Sequence, residues 1–402
     1  MSGILAGLRV MEGSAFVAAP LAGMTLAQMG AEVIRFDRPE GGLDHHRWPV
    51  NADGVSWFWA GLNKGKKSVA VDLRSPEGRE LVTALITAPG EDAGVFLTNL
   101  RAKWMEYETL RKRREDLIMV TVLGTRDGGP AVDYTVNPMV GFPDATGPED
   151  ATDPVAHVLP AWDCICGQMA AVGLLAAERR RLRSGKGESV EIALKDVALA
   201  MLGNLGIIGE AAAGRDRPKI GNALFGAYGQ DFLCADGRRV MVVGLTDGQW
   251  AGLTALTGTQ AAMDALGARL GLDLSREGDR FAARKEITAL LAPWFAARPS
   301  GDVGRMLDKA RVAWGPFRTF RQALAEDPEL TAGPLFSMVE HPGLGAVLTP
   351  GSPLSFLGAA GAQPAPAPRL GQHTEEVLSR VLGLGSGEIG RLVDRGVVAT
   401  AA

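Results

Sequence analysis

GLRVMEGSAFVAAPLAGMTLAQMGAEVIRFDRP, residues 7–39, carries the pattern that decides the fold. An apolar run at Leu8–Met11 leads through the small-residue turn Gly13–Pro20 into a helical stretch, Pro20–Gly30, and then a second apolar run, Glu32–Phe36. A proline near the helix start costs little, because the first-turn amides have no intrahelical acceptor. Near-continuous apolar strands separated by a helix imply a parallel sheet covered on both faces.

The same alternation continues outward. Further strands are expected at Ser68–Asp72, Gly94–Leu97, Ile118–Leu123 and Ser189–Ala193. Helices are expected at Pro76–Ile86, with Ser75 as N-cap, and at Asp163–Arg183, closed by Gly185. Met169, Val172 and Leu175 mark an apolar stripe on that long helix, and Arg179, Arg180, Arg181 and Arg183 suit its C-terminal dipole. The fold class is therefore α/β, with a doubly wound, Rossmann-like large domain over residues 1–202. A Gly- and Ala-rich linker, 203–223, leads to a smaller α/β domain, 224–325, with a hairpin at Gln230–Cys234 and Arg239–Val243. A Gly/Pro-rich return linker, 326–368, precedes an amphipathic C-terminal segment, 369–402, that forms a helix or helix pair at Thr374–Leu392.

Composition excludes several function classes. The net charge of −4 provides no global basic field for nucleic acid or an anionic membrane. No uncharged apolar run approaches the roughly 18–20 residues that span a bilayer. Three cysteines and no secretory signal lead to the expectation of a reduced, cytoplasmic protein. Nucleophile-elbow, zinc-protease, paired C-x-x-C and Walker A patterns are all missing. His45, His46, His157, His341 and His373 are scattered, and a structural reading suits them better than metal ligation.

Three segments could hold chemistry. Gly13–Pro20 would let a ligand approach the backbone at a helix N-terminus. Asn63–Ser68, with Lys64, Lys66 and Lys67, could meet phosphates or could be a solvated turn. Leu159–Asp163 ends a loop at the start of the best helix. There Asp163 could simply cap the helix, or the same amides could keep it ionised as a nucleophile. The residues alone leave both open.

Residues 7–39 resemble the opening of the family III (CaiB/BaiF-type) CoA-transferases, as do GLNKGKKSVAVDLRSPEGREL (61–81), Asn99, SGKGESVEIALKD (184–196) and PRLGQHTEEVLSRVLGLGSGEIGRLVDRGVVA (368–399). The resemblance spans nearly the whole chain in order. It implies a catalytic Asp163, a ring-shaped chain interlocked with a second copy as a homodimer, and a C-terminal segment returning to the large domain. It implies an acyl-CoA substrate and no permanently bound cofactor. Coenzyme A would lie near Arg38, Lys66, Val71, Asp72, Leu73, Arg74 and Asn99. A basic position that the family carries beyond Asn99 is unmatched, and Arg101 or Lys103 stands in for it. Developing oxyanions would be met by backbone amides near Phe16, Val17 and Ala18 or by those of the Asp163 helix.

EGSAFVAAP, GGLDHHRWPV, FWAGLNKGKKS, RDGGPAVDYTVNP, LPAWD and VMVVGLTDGQW look like one branch of this family. That branch moves CoA from one carboxyl of a dicarboxylic acid to the other carboxyl of the same molecule. Arg47 would pair with the free carboxylate, and Tyr134 would touch the substrate. Val17, where the oxalate-using branch has Gln, argues against that branch. Val132, where the family's racemases have His, argues against racemisation. A CoA-binding protein without catalysis is disfavoured by the retained Asp163.

Overall fold

Five largely buried runs and one partly exposed edge segment become parallel strands in the computed structural model of the chain, which describes residues 3–358 and 363–401. They are β1 (Arg9–Gly13), β2 (Glu32–Asp37), β3 (Lys67–Val71), β4 (Val95–Thr98), β5 (Ile118–Leu123) and β6 (Glu188–Ala193). Their order is β3-β2-β1-β4-β5-β6, so the chain winds one way from β1 and the other way from β4. Between β1 and β4 lies the topological switch point, where open α/β sheets leave a crevice at their carboxyl ends. All six residues of β5 are buried, as a strand covered on both faces requires.

Helices follow the local signals closely. Ser75 Oγ accepts the Gly78 N–H at 2.9 Å and starts the helix Pro76–Thr87. The long helix spans Ala161–Ser184 and stops at Gly185, whose φ of +67° only glycine adopts easily. Its buried side differs from the expected stripe: Met169 and Val172 are exposed, whereas Cys166, Gly167, Ala170 and Leu174 are buried. Small residues win that face because the helix lies directly against the first helix, Ala18–Gln28. A Cβ added at Gly167 would sit 2.7 Å from the Ala18 carbonyl oxygen. Gly167→Val is therefore expected to destabilise the fold by about 1–3 kcal/mol. An unchanged melting temperature would show that the two helices separate freely.

The chain forms two compact units, residues 1–140, 158–209 and 328–402, and residues 141–157 and 210–327. These bounds differ from the linkers expected from composition. Residues 141–157 cluster with the second unit, and the expected 203–223 linker contains the helix Ile207–Ala212. In the second unit β7 (Tyr228–Leu233), β8 (Arg239–Gly244) and β9 (Ala313–Pro316) form an antiparallel sheet. Its core gathers Tyr228, Phe232, Trp250, Leu253, Ile287 and Phe295.

Within 326–368, the hairpin of β10 (Phe336–His341) and β11 (Gly345–Pro350) replaces irregular linker. Residues 359–362 of that expected linker, with 1–2 and 402, lie outside the described residues. The C-terminal segment resolves into two helices, Thr374–Leu382 and Ser386–Asp394, and then β12 (Val398–Ala399) pairs antiparallel with β3. Val377, Leu378, Ile389 and Leu392 join the same core as β2 and β3. The tail thus closes an edge of the main sheet.

Candidate active site

The switch point is built by polar side chains that reach across it. Thr98 Oγ1 donates to the Gly13 carbonyl at 2.7 Å, tying β4 to β1. Asn99 then clamps Ala15 from both sides, accepting its N–H at 2.9 Å and donating to its carbonyl at 2.8 Å. This clamp presents the turn that feeds the first helix. Phe16 has a φ of +69°, a conformation that costs a side-chain-bearing residue energy and persists only when its surroundings enforce it. The amides of Val17 and Ala18, at the helix start, donate to no protein acceptor among the described residues.

The long helix brings its own N-terminus to this crevice. Arg181, near its far end, donates to the Ala93 and Gly94 carbonyls at the amino end of β4. At 1.5 Å per residue, Asp163 lies about 27 Å back along the axis, at the carboxyl ends of the strands.

Asp163 is not the cap of its helix. Asp133, buried on the short helix Asp133–Met139, accepts the amides of Trp162 at 2.7 Å and Asp163 at 3.2 Å through one oxygen. Trp162 also donates its indole N–H to Asn137 at 3.1 Å, fixing the two helices together. The Asp163 carboxyl is consequently free of hydrogen bonds among the described residues. The amides expected to keep it ionised are spent on Asp133 instead. Burial, and then the neighbouring Asp133 charge, push the Asp163 carboxyl up to about 7, opposed by Arg47. A half-buried carboxyl titrating near neutrality, with no bonds to break, is a competent nucleophile. Burial, and then the Asp163 charge, also push the Cys166 thiol up, to about 12, which leaves it a packing residue.

Arg47 is exposed, yet held. Its guanidinium lies over the rings of Phe16 at 5.4 Å and Phe58 at 5.2 Å, and among the described residues it forms no ion pair. A stacked guanidinium with unspent donors close enough to oppose the Asp163 shift suits bidentate capture of a carboxylate. Tyr134 is exposed and follows directly on Asp133.

The other expected contacts separate into two groups. Arg38 is partly exposed and Arg74 exposed; they share Glu40 at 3.8 and 3.7 Å, while Arg74 also meets Asp72 at 2.8 Å. Such surface pairs are weak enough to yield to phosphates. Arg101 is exposed, with one donor on the Gly128 carbonyl at 3.2 Å and the rest of its fork open. Leu73 is partly exposed, whereas Val71 is fully buried and its strand edge is covered by β12.

Three expectations need correction. The Lys66 ammonium is fully buried and donates to Glu12 at 2.8 Å and to the Pro20 carbonyl and Asn63 at 2.9 Å, so no proton remains for a phosphate. Asn99 is occupied with Ala15 and shapes the turn. The Phe16 amide is also spent, on Asp44 at 3.0 Å, so of the expected set only the amides of Val17 and Ala18 stay open among the described residues. The contributions of Asp44, Phe58 and Asp133 were not legible in the sequence. Their only local signal is an Asp three residues before Arg47 and another just before Tyr134.

A doubly wound sheet, a free carboxyl at the start of one helix and open amides at the start of another match what carboxylate-based CoA transfer needs. The model of CoA-transferase family III matches residues 5–374, and the chain belongs to that family. The 2-methylfumaryl-CoA isomerase of Chloroflexus aurantiacus is 60% identical over 99% of this chain and 98% of its own. The succinyl-CoA:mesaconate CoA-transferase of Haloarcula hispanica is 30% identical, covering 96% of this chain and 98% of its own. Among solved structures, a CaiB/BaiF family protein from Brucella suis superimposes with a TM-score of 0.78 at 27% identity, over 95% of this chain and all of its own.

Proposed function

We propose that the protein converts mesaconyl-C1-CoA (2-methylfumaryl-CoA) into mesaconyl-C4-CoA by moving CoA between the two carboxyls of one mesaconate. The 60% identity to a 2-methylfumaryl-CoA isomerase over nearly the full length carries this assignment. The unbonded Asp163 beside an unpaired Arg47 supports it chemically.

Asp163 attacks the C1 thioester carbonyl, and the tetrahedral oxyanion takes the amides of Val17 and Ala18. Collapse expels CoA thiolate and leaves a mixed anhydride between Asp163 and C1. The thiolate attacks the aspartyl carbonyl, giving an aspartyl-CoA thioester and free mesaconate. Mesaconate then presents its C4 carboxylate, which attacks that thioester, forms the second anhydride and again releases thiolate. Attack of thiolate on C4 gives the product and restores Asp163. Thioester and anhydride are similarly activated, so no step faces a large uphill change. Retaining mesaconate in the site places its second carboxylate at high effective concentration.

Two features go with this proposal. An apolar stripe left exposed on the long helix, with Met169 47% and Val172 60% exposed, supports a second copy packing there as a homodimer. Three free cysteines, Cys164, Cys166 and Cys234, support a reducing, cytoplasmic setting. No helix among the described residues is long and apolar enough to cross a membrane.

Incubation with mesaconyl-C1-CoA alone, followed by chromatographic separation, should yield the C4 isomer with no added acid. Turnover only when another carboxylic acid is supplied would instead establish intermolecular transfer, the activity named for the relative at 30% identity.

A further inference from the structure

Beneath the site lies a buried charge cluster that the transfer chemistry does not use. Arg35 is 1% exposed and bonds Asp37 through both oxygens, at 2.8 and 3.0 Å. Its third contact is Asp44 Oδ1 at 2.8 Å, and Lys66 pairs with Glu12 nearby. Asp44, itself 1% exposed, uses its other oxygen to accept the Phe16 amide at 3.0 Å. The Asp44 carbonyl also accepts the Arg47 N–H at 3.1 Å. One residue therefore touches the core cation, the strained turn and the backbone of Arg47.

We propose that Asp44 is a positioning residue for the free carboxylate of the substrate, acting through Phe16 and Arg47. The carboxylate holds the Phe16 amide, which enforces the positive φ. That φ sets the Phe16 ring under the Arg47 guanidinium, opposite Phe58. This inference rests on Arg47 receiving the second carboxylate of the proposed dicarboxylic substrate. Asparagine cannot replace Asp44, although it is isosteric. An amide has one acceptor oxygen, while Arg35 and Phe16 both present donors, so one of them must face an NH₂ group. The substitution should not unfold the cluster. Glu12, Asp37 and Asp44 set three carboxylates against two cations, Arg35 and Lys66, and Asp44→Asn brings the count to two against two.

The test is calorimetric binding to full-length Asp163→Asn protein, which holds the thioester without turnover. Two probes are compared: mesaconyl-C1-CoA, and tiglyl-CoA, which has a methyl in place of the second carboxylate. The reference protein should prefer the mesaconyl thioester. Adding Asp44→Asn should compress that preference about tenfold and leave tiglyl-CoA affinity within about twofold. Equal weakening of both probes would mean a merely structural role and overturn the proposal, as would an unchanged preference. Absence of any preference in the reference protein would overturn the reading of Arg47 as well. If Asp44→Asn protein does not fold, Phe16→Leu, at a ring that is 39% exposed, carries the same test. No compression there would overturn the proposal too.

Discussion

Asp163→Asn is expected to lower isomerisation by on the order of 10⁴-fold or more, because an amide cannot form the acyl adduct. The same change should stabilise the protein at pH 8. The sign follows from the proton. The folded-state carboxyl is raised from 3.8 to about 7, so the native chain keeps a proton that the unfolded chain loses above pH 4. Stability of the parent therefore declines as pH rises from about 4 to 7, and the penalty stays constant above that. Asparagine carries no such proton. Its advantage should be absent at pH 4 and reach roughly 1–3 kcal/mol at pH 8, allowing for solvent at the half-buried carboxyl. Thermal melts at both pH values check this. Identical differences at pH 4 and 8 would mean that Asp163 titrates normally, and retained turnover would exclude it as the nucleophile.

Arg47→Ala should lower kcat/KM for mesaconyl-C1-CoA by about 10²-fold, the loss expected when a charged hydrogen-bonding partner of a substrate carboxylate is removed. A second signature concerns pH. Arg47 opposes the upward shift at Asp163, whereas burial and Asp133 drive it. The parent enzyme should lose kcat/KM as pH falls through about 7, where the nucleophile gains its proton. Without Arg47 that limb should move to higher pH. Arg47→Lys should restore the limb but only part of kcat/KM, since a point charge lacks the planar fork and stacks poorly on Phe16 and Phe58. A pH–rate profile of the alanine variant that overlays the parent profile would separate Arg47 from the nucleophile.

Most of the large unit was legible in the chain itself. Strands such as Ile118–Leu123 and the long helix emerge within two residues of their expected ends, because burial on both faces and helix capping leave local marks. Motif order also pointed to Asp163, which lies in the first turn of that helix. Hairpin β10–β11 escaped because its residues, only partly buried, lack a strong alternation and sit in a stretch coloured by Gly and Pro. The outward stripe of Met169 and Val172 misled for a related reason. Periodicity reveals an apolar face, but it does not say which neighbour, the first helix or a second chain, will cover it.

The site's electrostatics belong to the tertiary structure alone. Asp163 could be read from sequence as a cap or as a carboxylate held ionised by the helix amides; Asp133, thirty residues away, takes those amides, and burial raises the Asp163 carboxyl to about 7. Lys66 and Asn99 have the residue types of ligand contacts, yet Glu12 and Ala15 occupy their donors. Arg47 gains its setting from Phe16 and Phe58, on two other segments. The sheet, its helices and the family follow from the sequence alone, since each depends on short-range pattern. The switch point decided which polar groups remain free for a ligand, because only there do loops distant in the chain compete for the same donors and acceptors.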